Sequence, residues 1–82
     1  MKYPVAIHKD DDSCYGVSVP DIPGCFSAGE TLDEAMSNIQ EAISGHLEIL
    51  AEDGSVAPKA SSIDDYFKRD EYKGAIWAYA DI

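Results

Sequence analysis

A chain of 82 residues can fill one small core, and a composition of 45% hydrophobic and 10% aromatic residues excludes a disordered polymer. Asp and Glu number 16 against 6 Lys and Arg, a formal net charge of −10. A field of that sign repels phosphate, which argues against direct nucleic-acid binding by these residues and favours a basic partner instead.

The first predicted element is a strand over Lys2 to His8. Tyr3, Val5 and Ile7 alternate with Lys2, Pro4, Ala6 and His8, the period-two pattern of a half-buried strand. Pro4 has no N–H to give a ladder, so it belongs near the strand start or on a free edge. Lys9-Asp10-Asp11-Asp12-Ser13 reads as a polar turn. Cys14 to Val19 follows as a second strand, with Tyr15, Val17 and Val19 on one face, and the two strands form a hairpin. Pro20-Asp21-Ile22-Pro23-Gly24 is rigid punctuation before a short third strand, Cys25 to Ala28, and Gly29-Glu30 turns the chain again.

A long helix is expected next. Thr31-Leu32-Asp33-Glu34 fits a capping box, in which the Thr hydroxyl serves one free N–H and the Glu carboxylate another. Leu32, Ala35, Met36, Ile39, Ala42, Ile43, Leu47 and Leu50 recur at three- and four-residue spacing and form one apolar stripe. Glu34, Glu41 and Glu48 lie on the other side. Gly45 is a weak helix former that would permit close approach to the sheet, and Asp53-Gly54 ends the helix with a left-handed cap. Beyond Pro58, Ser62-Ile63-Asp64-Asp65 reads as the start of a short second helix carrying Tyr66, Phe67 and Tyr72, which Lys73-Gly74 ends. The last strand, Ala75 to Ile82, has large groups on both faces and is expected to be covered on both. The predicted class is α+β: a three-stranded antiparallel meander, a long helix, a short helix, and a fourth strand parallel to the first through a right-handed crossover. One helix cannot cover both sheet faces, so the far face is expected to carry polar groups or an oligomer contact.

Few residues point to catalysis. His8 and His46 are far apart and lack partners at ligand spacing, and no paired-Cys motif occurs, so no metal site is expected. Cys14 and Cys25 are too few for a disulfide framework and are expected to behave as small buried hydrophobes. No phosphate-binding glycine loop and no serine elbow is present. The predicted topology resembles the opening part of an RNase H fold, whose two-metal chemistry needs convergent carboxylates. The first strand here offers neither Asp nor Glu. No catalytic residue and no cofactor are therefore assigned. The Asp10-Asp11-Asp12 run lacks the spaced ligands and the glycine of a calcium loop. No apolar run reaches the ~20 residues that cross a bilayer, and Met1-Lys2-Tyr3-Pro4-Val5 opens no secretory signal, so a cytoplasmic location is expected.

The segment Asp21-Ile22-Pro23-Gly24-Cys25-Phe26-Ser27-Ala28-Gly29-Glu30-Thr31-Leu32-Asp33-Glu34-Ala35 resembles the core motif of HicB-like antitoxins. Tyr3-Pro4-Val5 and Tyr15-Gly16-Val17-Ser18-Val19-Pro20 resemble that family's first hairpin. Pro58, Ser61-Ser62-Ile63 and Trp77-Ala78-Tyr79-Ala80-Asp81-Ile82 resemble its crossover and final strand. The resemblance runs over residues 1–82, read as one toxin-neutralising domain. It implies a partial RNase H-like fold without nuclease activity and a partner of the HicA type, a small basic mRNA interferase whose active site the antitoxin would cover. Family members usually carry a C-terminal DNA-binding part that contacts operator DNA. This chain stops on a strand at Ile82, and a trimmed chain is the expectation. Asp10, Asp11, Asp12, Asp21, Glu30, Glu34 and Glu41 are the candidate toxin-binding residues, chosen on charge and expected exposure. Free sheet edges also invite a homo-oligomer. The rival readings are an active or vestigial nuclease and a stand-alone HicB-like regulatory module.

Overall fold

In a computed structural model, which describes residues 1–9 and 14–82, the alternation of Tyr3, Val5 and Ile7 builds the central strand β1 (Lys2–Lys9). β2 (Tyr15–Ser18) pairs antiparallel with it, and β3 (Phe26–Gly29) pairs antiparallel with β2. The long helix α1 (Leu32–Glu52) follows, then two 3-10 turns at Ile63–Asp65 and Asp70–Tyr72, then β4 (Ile76–Asp81). The sheet order is β3-β2-β1-β4. Asp10, Asp11 and Asp12 lie outside the described residues.

The expected parallel pairing of the fourth strand is corrected. β4 runs antiparallel to β1, from Lys2 opposite Asp81 to Ile7 opposite Ile76. The cause is the route of the connection. After 21 helical residues, a run of about 31 Å, the chain does not enter a strand at once. It passes Tyr3, whose hydroxyl donates to Pro58 O at 2.6 Å, and goes around that end of the sheet. It then returns along the far face before β4 begins, so strand four starts from the opposite end. This is the Greek-key order, a meander whose fourth strand comes back beside the first.

The same route covers the far face in part. Trp77 and Tyr79 stand opposite Ala6 and Pro4, on the face away from the buried Tyr3, Val5 and Ile7. Tyr66 stacks on Trp77 with centroids 6.5 Å apart and planes 9° apart, and Tyr72 meets Trp77 edge-on at 5.3 Å. Tyr79 Oη accepts from Ile63 N–H at 3.1 Å. The expected second helix is thus two 3-10 turns joined by aromatic contacts. Its apolar residues serve a flat sheet face and not a helical stripe.

On the other face α1 buries Ala35, Ile39 and Ile43 against Tyr3, Val5, Ile7, Val17, Val19, Ile22, Cys25 and Ala80. Thr31 Oγ1 accepts from Glu34 N–H at 3.1 Å, and Glu34 Oε1 accepts from Glu30 N–H at 3.3 Å. The carboxylate thus reaches one residue further back than in a standard capping box. At the other end Ser55 N–H donates to Leu50 O and Gly54 N–H to Ala51 O, with Gly54 at φ 78°. That is the Schellman arrangement, which requires a left-handed residue where Gly54 stands.

Two glycines have roles other than those expected. Gly29 is the last residue of β3, and a Cβ there would lie 2.5 Å from Ala35 N and 2.9 Å from both Ala35 Cα and Glu34 C. It lets the first turn of α1 sit directly on β3. At Gly45 a Cβ would meet nothing within 4 Å, so no close approach depends on that residue. Pro4 is likewise explained by register. Met1 and Ile82 exchange both main-chain hydrogen bonds, Ile82 N–H to Met1 O at 2.8 Å and Met1 N to Ile82 O at 3.1 Å. Antiparallel alternation then makes Pro4–Tyr79 a non-hydrogen-bonded pair. Pro4 points its ring nitrogen away from β4, and β2 does not reach it, because the β1–β2 ladder begins at Ala6.

Candidate partner interface

The nominated carboxylates fall into distinct settings. Asp21 is not a free surface charge. Its Oδ2 accepts from Ser61 N–H at 2.8 Å and its Oδ1 from the Tyr66 hydroxyl at 2.5 Å. The loop that carries it is folded tightly, with Ile22 N–H bonded to Val19 O, Cys25 N–H to Ile22 O, and Gly24 at φ 82°. Ile22 and Cys25 plug the core, so the intervening loop is held rigid and Asp21 is aimed at the returning crossover. The hydrogen bond to Asp21 raises the Tyr66 hydroxyl above the ordinary tyrosine value, with burial adding to it. Burial raises Tyr3, and the Asp21 charge adds to that. Asp21 is therefore a clamp on the crossover.

Glu34 spends one oxygen on the helix start, as described above, while Glu30 is exposed beside it. Glu41 is exposed on the outer face of α1. With Ser37, Gln40, Glu48, Asp81 and Ile82 it lines an open groove of about 590 Å³ between α1 and β4. Sequence reasoning placed Glu48 on this helix side without nominating it, and missed Asp81 and Gln40. The seven-residue spacing of Glu34, Glu41 and Glu48 was the available signal. What brings the Asp81 main chain to them, with its carbonyl accepting from Gln40 Nε2, is the register of β4, which no local pattern carries.

Few of these charges are neutralised within the chain. Among the described residues the only ion pairs are the Met1 amino group with Asp81 at 4.0 Å and Arg69 with Glu71 at 3.8 Å, and all four groups are about half exposed or more. Exposed pairs of this kind contribute roughly 0–1 kcal/mol. Glu41 and Glu48 face solvent and form no ion pair among the described residues. Among the described residues no group of three His, Cys, Asp or Glu side chains could hold a metal ion, and no polar side chain is buried without a hydrogen-bond partner. His8 lies on the far face in a shallow recess with Ser18, Phe26 and Tyr72, where Phe26 is 69% exposed. Of the two cysteines expected to be buried, Cys14 is exposed, while Cys25 is buried and its thiol is pushed up by that burial, so it is poorly suited to act as a nucleophile. No helix is long and apolar enough to cross a membrane among the described residues.

Comparison with known proteins places this geometry. A family described as "HicB_like antitoxin of bacterial toxin-antitoxin system" matches residues 3–82. An uncharacterized 14.9 kDa protein from the rep-hol intergenic region of Haemophilus phage HP1 is 51% identical over 82 residues, covering 100% of this chain and 61% of the phage protein. The crystal structure of the Burkholderia pseudomallei antitoxin HicB superposes with a TM-score of 0.92 at 49% identity, over 100% of this chain and 63% of that one. A chain of a solved HicA3 and HicB3 toxin-antitoxin complex superposes with a TM-score of 0.83 at 32% identity, over 100% of this chain and 98% of that one. The chain thus spans about three-fifths of the phage relative and of the Burkholderia antitoxin.

Proposed function

The chain belongs to the HicB-like antitoxin family, and we propose that it binds a small basic HicA-type mRNA interferase and covers the surface that the toxin needs for RNA. The action is occlusion without catalysis by the antitoxin, in the cytoplasm where mRNA is found. The observation that carries this reading is the stock of solvent-facing carboxylates, Glu41 and Glu48 above all, that find no cation among the described residues. Each is a ready partner for a Lys or Arg that would otherwise grip a phosphate. The solved complex of a HicA3 toxin with its HicB3 antitoxin supports the same type of partner. These residues are not assigned a nucleic-acid contact of their own, because a net charge of −10 opposes it.

The test uses a HicA-type toxin. Its cleavage of a labelled RNA is followed while the 82-residue chain is titrated in. Stoichiometric loss of cleavage is expected, with binding that weakens as salt rises. Undiminished cleavage at a tenfold excess of the chain, or magnesium-dependent cleavage by the chain alone, would overturn the proposal.

A further inference from the structure

We infer that the outer edge of β4 receives one strand of the basic partner, whose Lys and Arg side chains enter the carboxylate-walled groove beneath α1. This inference rests on the toxin-binding reading and adds the place and the form of the contact.

The ladder fixes which groups of β4 are free. Since Met1 and Ile82 form a hydrogen-bonded pair, so do Tyr3 with Ala80, Val5 with Ala78 and Ile7 with Ile76. The main-chain groups of Trp77, Tyr79 and Asp81 therefore point outward. Among the described residues no main-chain hydrogen bond reaches them. The outward carbonyl of Asp81 accepts only from the Gln40 side chain, at 3.4 Å. The other edge of the sheet is treated differently. β3 has four residues, and its outward Ala28 carbonyl is taken by Asn38 Nδ2 at 2.8 Å. One edge is short and partly capped, while the other is longer and open.

Side-chain chemistry then selects the occupant. A strand added to β4 continues the pleat, so its residues alternate between the two faces. Those on the core side near the end of β4 would reach the groove walled by Gln40, Glu41 and Glu48, which meets the strand at Asp81 and Ile82. Lys and Arg suit that wall. Those on the far side would meet Tyr79, which is 44% exposed, and apolar or Arg side chains suit that one. A second copy of this chain, which would offer Trp77 and Tyr79 to the far side, brings no cation to the groove. β4 reads Ile76-Trp77-Ala78-Tyr79-Ala80-Asp81 and carries no cation, so pairing two copies would set carboxylates beside carboxylates on bodies of net charge −10.

Amide hydrogen exchange of the chain, free and with the same HicA-type toxin, tests this residue by residue. In the free chain Ala78 and Ala80 should be protected, while Trp77 and Tyr79 exchange quickly. In the complex Trp77 and Tyr79 should slow by about 100-fold or more. Glu41→Lys with Glu48→Lys should weaken binding about tenfold or more. Asp70→Lys with Glu71→Lys makes the same change in net charge at the recess beside His8 and Phe26 and should weaken binding by less than about threefold. A complex in which Trp77 and Tyr79 still exchange freely, or equal weakening by both double variants, would overturn the inference while leaving toxin binding intact. Protection of Trp77 and Tyr79 in the free chain that grows with its concentration would give the edge to a second copy and overturn it too. No complex at all would remove the toxin reading and this inference with it.

Discussion

Replacing Gly29 by Ala adds one methyl group where α1 rests on β3. That methyl carbon would sit 2.5 Å from Ala35 N, where ordinary contact begins at 3.4 Å, so the shortfall is about 0.9 Å. The atoms it meets belong to the first turn of the helix, not to a side chain that can swing away. The helix start must retreat by about that distance, which loosens Ala35, and with it Ile39, from the core. Overpacking of a rigid site costs about 1–3 kcal/mol, and a clash of backbone on backbone belongs at the upper end. A chain of this size is stable by about 4–12 kcal/mol, so the loss is a large share. Urea denaturation followed by circular dichroism should show it, and the melting temperature should fall by about 12–24 °C. Gly45→Ala is the internal comparison. It lies in the same helix with open space around it, and should stabilise by about 1 kcal/mol by removing glycine's helix penalty. If Gly29→Ala were within about 0.5 kcal/mol of the parent, or if the two variants moved together, the close-approach argument would fail.

The remaining predictions concern the clamp and the thiols. Asp21→Asn should cost about 1–3 kcal/mol, since an amide cannot accept from both Ser61 N–H and the Tyr66 hydroxyl as the carboxylate does. In the parent chain the folded state holds the Tyr66 phenol protonated. That stability is complete below the ordinary tyrosine value of 10.0 and is lost as pH rises through the higher folded value. An ultraviolet titration should therefore show a tyrosinate step that moves back toward 10.0 in Asp21→Asn, and an unmoved step would refute the clamp. Ellman's reagent should modify the exposed Cys14 rapidly in the native chain and the buried Cys25 only after unfolding. Two equally fast thiols in native buffer would contradict the core assignment.

The parts of this fold that were legible in the sequence are those whose cause is local. The stripe from Ala35 to Ile43, the Thr31 cap and the Gly54 stop define α1 to within a residue or two. The alternation of Tyr3, Val5 and Ile7 defines β1 and its buried face. The direction of β4 was not legible, because it depends on where residues 55–75 pass and not on any period within β4 itself. The second helix was over-read for a related reason: Tyr66, Tyr72 and Trp77 are apolar together through stacking across elements, not through one helical face. At the candidate interface, Glu41 was nominated on charge and lies in the groove, whereas Asp21 was nominated on the same ground and is spent on internal hydrogen bonds. Charge alone does not separate a carboxylate facing water from one facing a buried hydroxyl. A hint was present in Tyr66, since a tyrosine packed in an aromatic cluster still needs a hydrogen-bond partner.

Met1 and Ile82 lie side by side, bonded to each other through their main chains. A two-residue Asn-Gly bridge from Ile82 to Met1 would join β4 to β1 as an ordinary hairpin, and new termini could then be cut near the exposed Val56. The permuted chain would run β4, β1, β2, β3 and α1 in spatial order, turning the most distant pairing in the sheet into a neighbouring one. Such a rearrangement lowers contact order and should speed folding while leaving every native contact in place.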